Sequence, residues 1–241
     1  MLYLCIPAHN EAATVGLLLW KIRGVFQQYS REYEIIAYDD GSSDATRETL
    51  AGYSEVLPLS VLGSSERVGY GRALEACCRE VNARSRYPRR DALLIMQADF
   101  TDAPEQIPEL VRRFEGGADI VTGERTTVTG MPRSERRLRR LGRWLVGRRA
   151  RSLGTSDPLS GFRLYRVGVI RELLKKAGDA RLLTSDGTAA DVELLLAAAQ
   201  VARRLESVST TPRYDLRQRP SRLRSGAKAL AVFRVARRAP A

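Results

Sequence analysis

Four polar stretches, each following a short apolar run, hold the side chains best suited to chemistry: Pro7-Ala8-His9-Asn10-Glu11, Asp39-Asp40-Gly41-Ser42-Ser43-Asp44, Gln97-Ala98-Asp99 and Gly123-Glu124-Arg125. Each contains a carboxylate. Gathered at one place, like charges cost stability unless a cation compensates, so the economical chemistry for such a set is a divalent metal carrying phosphates. Any one stretch alone is weak, since Asp-Gly-Ser is also a common turn and helix start. It is their succession that carries the reading. His9 is the only histidine, which excludes two-histidine metal sites and leaves a Ser-His-Asp triad no other base. The three cysteines, Cys5, Cys77 and Cys78, are odd in number and two are adjacent, so neither a disulfide framework nor a zinc site fits them; a reducing cytoplasm does.

The elements that would position these stretches are legible in the hydrophobic pattern. Leu2 to Pro7 reads as a strand, and Val15, Leu18, Leu19, Ile22 and Phe26 then recur at helical spacing. Strand-then-helix repeats at Tyr33 to Tyr38 with Asp44 to Ala51, Val56 to Leu62 with Gly69 to Val81, and Ala92 to Met96 with Pro104 to Phe114. Such β-α units predict an α/β chain with a mostly parallel, Rossmann-like sheet flanked by helices on both faces, because each crossover must pack its apolar stripe on the sheet. Asp119 to Thr122 is a fifth strand. Thereafter the alternation gives way to the arginine-dense segment Arg133 to Arg151, the run Phe162 to Arg166, helices near Gly168 to Lys176 and Ala189 to Arg204, the run Glu206 to Thr210 and a basic tail. In an open parallel sheet ligands bind beyond the carboxyl ends of the strands, where all four polar stretches fall.

At 241 residues and 44% hydrophobic content the chain supports one ample core. No 18-residue apolar run is present, and neither a transmembrane span nor a signal peptide is expected. Of its 40 basic residues only Lys21, Lys175, Lys176 and Lys228 are lysine, and arginine is the side chain suited to a bidentate grip on phosphate; an arginine-rich solvated surface is the alternative source of that excess. Residues 1–120 carry 13 basic and 18 acidic groups, residues 121–241 carry 27 and 10, so an acidic half suited to a cation-borne ligand precedes a basic half suited to an anion. The net charge of +12 raises nucleic-acid binding as a rival, but no helix-turn-helix, zinc finger or aromatic RNA-binding motif accompanies it, and no nucleic-acid partner is expected. Dinucleotide binding is disfavoured because the first strand-helix turn lacks Gly-x-Gly-x-x-Gly.

Together with Pro104-Glu105-Gln106-Ile107-Pro108-Glu109-Leu110, Gly117 through Arg125, and Ser156-Asp157-Pro158-Leu159-Ser160-Gly161-Phe162-Arg163-Leu164-Tyr165-Arg166, these stretches resemble the family 2 glycosyltransferases of the GT-A fold, specifically the dolichol-phosphate mannose synthase and polyprenyl-phosphate sugar transferase branch. The resemblance implies a GT-A domain over 1–215, with a nucleotide-sugar half at 1–123 and an acceptor half at 124–215, followed by a basic helical extension at 216–241. It implies that Pro7, His9 and Glu11 line the nucleotide pocket with the His9 ring on the base, that Asp39 and Asp40 hold the base or ribose, and that Gln97, Ala98 and Asp99 complete the donor site. For His9, a polar helix-start residue is the alternative. Asp99, matching the last acid of an Asp-x-Asp motif, would bind Mg²⁺ or Mn²⁺ bridging the diphosphate, and Arg125 would face the acceptor phosphate.

The implied reaction is inverting transfer of a sugar from GDP-mannose or a UDP-hexose to a polyprenyl or dolichyl phosphate. A phosphomonoester brings its own nucleophilic oxygens, so no general base is obligatory, whereas a sugar hydroxyl would need one. Two anions must then be held close, and Arg125, Arg133, Arg136, Arg137, Arg140, Arg217, Arg219 and Arg222 are the candidates to screen them. Ser221-Arg222-Leu223 resembles the family's Ser-Lys-Leu region, and Glu193 matches an acidic position that serves either as a base or structurally. Leu138, Leu141, Trp144 and Leu145 share a helical face with arginines on the others, as an interfacial helix requires, and residues 222–238 repeat the pattern more weakly, with an ordinary packed surface helix as the alternative. The expected location is cytoplasmic and peripheral to the membrane, with a separate membrane-protein partner as a second route to it. Three departures stand out. Gln97 replaces the first acid of Asp-x-Asp, Arg67 stands where relatives have Asn before Val68-Gly69, and Arg222 replaces the tail lysine. Asp102 is placed either to assist Asp99 or, in Thr101-Asp102-Ala103-Pro104, to start a helix. The alternatives are a hydroxyl acceptor and a catalytically weak glycosyltransferase-like binding protein.

Overall fold

The computed structural model describes residues 1–125, 154–212 and 226–238, together with Met131, Arg136, Arg137, Arg140, Leu141, Trp144 and Val146. Seven strands form one sheet in the order β3-β2-β1-β4-β6-β5-β7, where β1 is Leu2–Ala8, β2 Tyr33–Asp40, β3 Leu59–Ser64, β4 Ala92–Ile95, β5 Ile120–Arg125, β6 Arg163–Arg166 and β7 Leu205–Thr210. All pairings are parallel except those of β6, which runs against both β4 and β5. The expected α/β architecture with a mostly parallel sheet is therefore present. Helices are α1 (Ala12–Gln28), α2 (Thr46–Ser54), α3 (Tyr70–Arg84), α4 (Ile107–Glu115), α5 (Val167–Ala177), α6 (Thr188–Ala199) and α7 (Gly226–Arg238).

Period-two alternation divides the core between the sheet's faces. Leu2, Leu4, Ile6 and Ala8 point to one face with Val15, Leu18, Leu50, Leu110 and Phe114 from α1, α2 and α4. Tyr3 and Cys5 point to the other with Leu74, Cys77, Val81, Ile170 and Leu194 from α3, α5 and α6. Helix α6 is apolar around most of its circumference because it is covered twice: Leu194, Leu195 and Ala198 face the sheet side, while Ala189, Val192 and Leu196 pack with Val146, Leu159, and Val232 and Ala236 of α7.

Two boundaries differ from the hydrophobic pattern. The run expected as a strand from Val56 begins only at Leu59, because Val56 and Leu57 still donate to the Tyr53 carbonyl at the end of α2 and Pro58 has no N–H for the ladder. The helix expected from Ala189 to Arg204 ends at Ala199, five residues short, because Ile120 pairs with Leu205 and the chain must turn into β7.

Candidate active site

Because β1, β2, β4 and β5 are mutually parallel, their carboxyl ends open on one edge of the sheet, and the register sets Ala8 beside Asp39. Pro7 is the buried penultimate residue of β1. The half-buried His9 donates from Nδ1 to the Asp40 carbonyl at 2.7 Å, which fixes the ring against the end of β2. Asn10 adopts a left-handed conformation with φ of 54° and exchanges hydrogen bonds with Ser42 and Ser43, lacing the first loop to the second. Glu11 is buried; its N–H donates to Thr46 Oγ1 at 2.7 Å, and Thr14 Oγ1 lies 3.1 Å from its carboxylate and 2.9 Å from the Ala98 carbonyl. Thr14 thus ties the first loop to the loop after β4.

Asp39 and Asp40, both buried, use their carboxylates on neighbouring loops. Asp39 accepts the Ser42 N–H at 3.3 Å and faces Arg47 at 3.5 Å. Asp40 Oδ1 accepts the N–H groups of Val68 at 2.6 Å and Gly69 at 3.1 Å, and Arg67, largely exposed, approaches Oδ2 at 3.9 Å. A side chain at Gly41, where φ is +60°, would lie 2.6 Å from the backbone of Glu66 and Arg67, so the 66–69 loop seats directly on this turn. From there Tyr70 donates its hydroxyl to Asp191 of α6 at 2.7 Å.

The loop after β4 is the most enclosed part. Asp99 is fully buried, its Oδ1 accepting the Thr101 N–H at 3.0 Å, and Phe100 between them has φ of +60°. Asp102 lies beside it, accepting the Gln97 N–H at 3.3 Å and meeting Arg125 Nη2 of β5 at 3.1 Å. Both side chains of that ion pair are 3% exposed. Burial, and secondarily the Asp99 carboxylate, push the Asp102 carboxyl above the usual range despite the opposing pull of Arg125. The helix-start role expected for Asp102 is not the one found. The turn at Pro104–Gln106 has Ala103 at its cap with no side-chain capping bond, and Asp102 turns inward instead.

Of the expected site residues, the fold brings Pro7, His9, Glu11, Asp39, Asp40, Gln97, Ala98, Asp99 and Arg125 to one edge. Arg136, Arg137 and Arg140 are exposed on helical backbone. Arg133, Arg217, Arg219, Ser221 and Arg222 lie outside the described residues. Glu193 clamps a loop, accepting from Thr184 and Ser185. Arg163, 1% exposed, donates to the carbonyls of Asp157, Pro158 and Asp191, so the Ser-Gly-Phe-Arg stretch holds its own loop onto α6. Of the two roles the sequence left open for Asp102, the one beside Asp99 is where the fold puts it; the Tyr70–Asp191 pair was not singled out from the sequence, and no local signal joins residues so far apart in the chain. A surface pocket of about 280 Å³ lined by Trp20, Arg23, Gly24 and Gln27 opens toward the far end of α1, away from this edge.

The donor set can be weighed against a divalent ion. Among the described residues no group of three or more acids, histidines or cysteines forms a cage. The loop does supply hard oxygens: Asp99, the neighbouring Asp102, and the buried Thr101 hydroxyl, for which no hydrogen-bond partner is present among the described residues. One or two carboxylates with an oxygen-rich substrate fit Mg²⁺ or Mn²⁺ shared with phosphates, not a metal enclosed by protein alone.

The family profile described as glycosyl transferase family 2 matches residues 3–174, which include the loops that follow β1, β2 and β4 and all of β5. The chain belongs to that family. Among curated relatives of this family 2 chain, the dolichol-phosphate mannosyltransferase of Pyrococcus furiosus is 30% identical over 170 residues, covering 68% of this chain and 46% of the relative. The undecaprenyl-phosphate 4-deoxy-4-formamido-L-arabinose transferase of Photorhabdus laumondii is 34% identical over 118 residues, covering 48% and 34%. The chain thus spans less than half the length of these relatives. Among solved structures, glucosyl-3-phosphoglycerate synthase from Mycobacterium tuberculosis, in complex with Mn²⁺, UDP and phosphoglyceric acid, superposes with a TM-score of 0.66 at 22% identity, covering 99% of this chain and 75% of that one. The fold is GT-A.

Proposed function

We propose that this protein transfers a sugar from a nucleotide sugar, GDP-mannose or a UDP-hexose, to a polyprenyl phosphate at the cytoplasmic face of a membrane, with inversion. Membership of the family and the lipid-phosphate acceptors named for two relatives support the class of reaction. The observation that carries it is the convergence, at one sheet edge, of the loop of His9 to Glu11, the Asp39–Asp40 turn and the buried acid pair Asp99–Asp102 beside Arg125.

In this reading Pro7, His9 and Glu11 form one wall of the nucleotide pocket, and His9, fixed through Nδ1, presents its ring to the base. Asp40 shapes the opposite wall by holding Val68 and Gly69. Asp99, with Gln97, Thr101 and Asp102 around it, would hold Mg²⁺ or Mn²⁺; when bound, such an ion neutralises charge growing on the departing nucleoside diphosphate. Arg125 orients the acceptor phosphate, whose oxygen attacks the anomeric carbon. A phosphate acceptor is favoured over a hydroxyl because the acids at the start of α6 are engaged, Asp191 with Tyr70 and Glu193 with Thr184 and Ser185, and neither is set out as a base.

Membrane attachment in this reading is peripheral: among the described residues no helix is long and apolar enough to cross a bilayer. Incubating the protein with radiolabelled sugar nucleotides and membrane lipid extract, then partitioning into organic solvent, is the decisive assay. Label should enter the organic phase with one donor and only with a divalent cation, and Asp99→Ala should abolish it. Label confined to water-soluble hydroxyl products, or full activity of the variant, would overturn the acceptor and the metal assignment respectively.

A further inference from the structure

The turn that joins α3 to β4 reads Ser85-Arg86-Tyr87-Pro88-Arg89-Arg90-Asp91 and lies at the amino end of β4, where Ala92 sits beside Leu2 and Arg166. Its backbone is fixed from several sides. The N–H groups of Arg90 and Asp91 both donate to the Tyr87 carbonyl at 2.8 Å, that of Gly168 donates to the Pro88 carbonyl at 2.7 Å, and Arg166 donates to the Arg89 carbonyl. The buried Asp91 carboxylate turns inward, accepting from the Ser85 hydroxyl at 2.6 Å and the Tyr87 N–H at 3.3 Å. Left outside are Arg86, Arg89, Arg90 and Tyr87, the last 67% exposed. Arg203, also exposed, joins this corner, because its N–H and the Arg166 guanidinium share the Asp119 carboxylate.

These four arginines meet no acid among the described residues. The acids nearby are committed elsewhere: Asp91 to its own turn, Asp119 to Arg166, and Glu34 and Glu80 to Arg84. Cations fixed side by side without local neutralisation draw in an anion. We infer that this corner is a docking surface for an acidic segment of a partner protein, with carboxylates on the arginine forks and Tyr87 as an aromatic anchor whose rigid backing keeps the entropic cost of binding low. Its compactness tells against nucleic acid, since a single aromatic on one turn gives no track on which successive bases could stack. Position tells against a bilayer. The length of β4 and its continuation to Gln97, about 17 Å, separates this corner from the candidate active site, and the sugar-transfer reading, on which this step rests, turns that opposite edge to the lipid. A partner held here leaves the carboxyl edge open.

The probe is a fluorescein-labelled oligoglutamate peptide with one central tryptophan, followed by fluorescence anisotropy. Wild type should bind it, and more weakly as salt rises. Replacing Arg86, Arg89 and Arg90 together by Gln should weaken binding at least about tenfold, and Tyr87→Ala, which changes no charge, about fivefold. Replacing Lys175, Lys176 and Arg181 together by Gln removes the same charge from the exposed far end of α5 and should leave the affinity within about twofold of wild type. Equal losses in the two triple variants would reduce the effect to net charge and overturn the site, as would wild-type binding by the first of them. Oligodeoxythymidylate or phosphatidylglycerol vesicles bound in preference to the peptide, and lost in that same variant, would overturn the choice of partner. Should the triple variant fail to fold, Tyr87→Ala decides alone, and wild-type affinity in it overturns the proposal. Lipid labelling by the Arg86, Arg89 and Arg90 variant should equal that of wild type. Absence of labelling in every form would remove the sugar-transfer reading and leave the peptide result standing.

Discussion

Asp40 illustrates how a residue in the right place can act through backbone. Its carboxylate accepts two N–H groups of the 66–69 loop, and charge-assisted bonds of this kind are lost in part when one oxygen becomes an amide donor. Asp40→Asn should therefore lower stability by about 1–3 kcal/mol in urea unfolding and raise the donor KM more than it lowers kcat. Equal loss of kcat and kcat/KM with unchanged KM would show that Asp40 touches the reacting centre instead. At this scale the sequence was partly readable. Asp99 and Arg125 follow strands and match motifs, so their place could be anticipated. Asp102 could not be assigned, because Thr-Asp-Ala-Pro satisfies every local signal for a helix start, while the partner that overrides it lies 23 residues away on another strand. Gln97 gives the Asp102 carboxylate only its backbone N–H, which an acid at the same position would also supply, so the contact does not explain the glutamine.

The elements were most legible where period-two and helical spacing alternate, which covers β1 through α4 and fixes the carboxyl edge. Strand β6 was visible as an apolar run, but its antiparallel direction was not, since neither face of so short a strand records which way it runs. What holds β5 in that mixed region is close packing. A side chain at Gly123 would lie 2.7 Å from Phe162 Cδ1 and 3.0 Å from Thr210 Cγ2. Gly123→Ala should spread β5 from its neighbours, cost about 1–3 kcal/mol, and reduce turnover through displacement of Arg125 while nucleotide binding at the β1 and β2 loops persists. At the other end of β5, Asp119 joins three segments, accepting from Arg166 at 2.6 Å and the Arg203 N–H at 2.8 Å. Burial alone would raise its carboxyl, but the Arg203 N–H and then Arg166 outweigh it and hold the group below the usual range. A carboxyl depressed in the folded state binds protons more weakly there than in the unfolded chain, so its contribution is present above about pH 3.8 and is lost as pH falls through the lower folded value. Asp119→Asn should thus be less stable than wild type at pH 7 and converge toward it in acid. Parallel unfolding curves across pH 2–7 would contradict that assignment.

Charge asymmetry along the chain becomes spatial at the scale of the whole molecule. Residues 136–151 contain eight arginines and no acid, and α7 contains none either. Leu141 and Trp144, three residues apart on helical backbone, are 45% and 77% exposed, whereas Val146, about 200° around from Trp144, is buried among Leu159, Val192 and Val232. The same cluster seats α7, whose Val232 and Ala236 face inward while Leu230, Arg234 and Arg237 remain exposed. An apolar ridge flanked by arginines suits an anionic lipid surface, and its attraction should weaken with salt. The only other tryptophan, Trp20, is 58% exposed on α1, whose buried side packs on the opposite face of the sheet. This gives an internal control. With vesicles containing phosphatidylglycerol, Trp20→Phe should keep a blue-shifted emission on binding and Trp144→Phe should lose it, and neutral phosphatidylcholine should produce neither. Leu141→Ser with Trp144→Ser should abolish vesicle co-sedimentation yet leave transfer to a water-soluble isoprenyl phosphate intact, because neither side chain belongs to the sheet edge. A blue shift that survives only in Trp144→Phe would put the membrane against α1 and detach lipid access from the basic half.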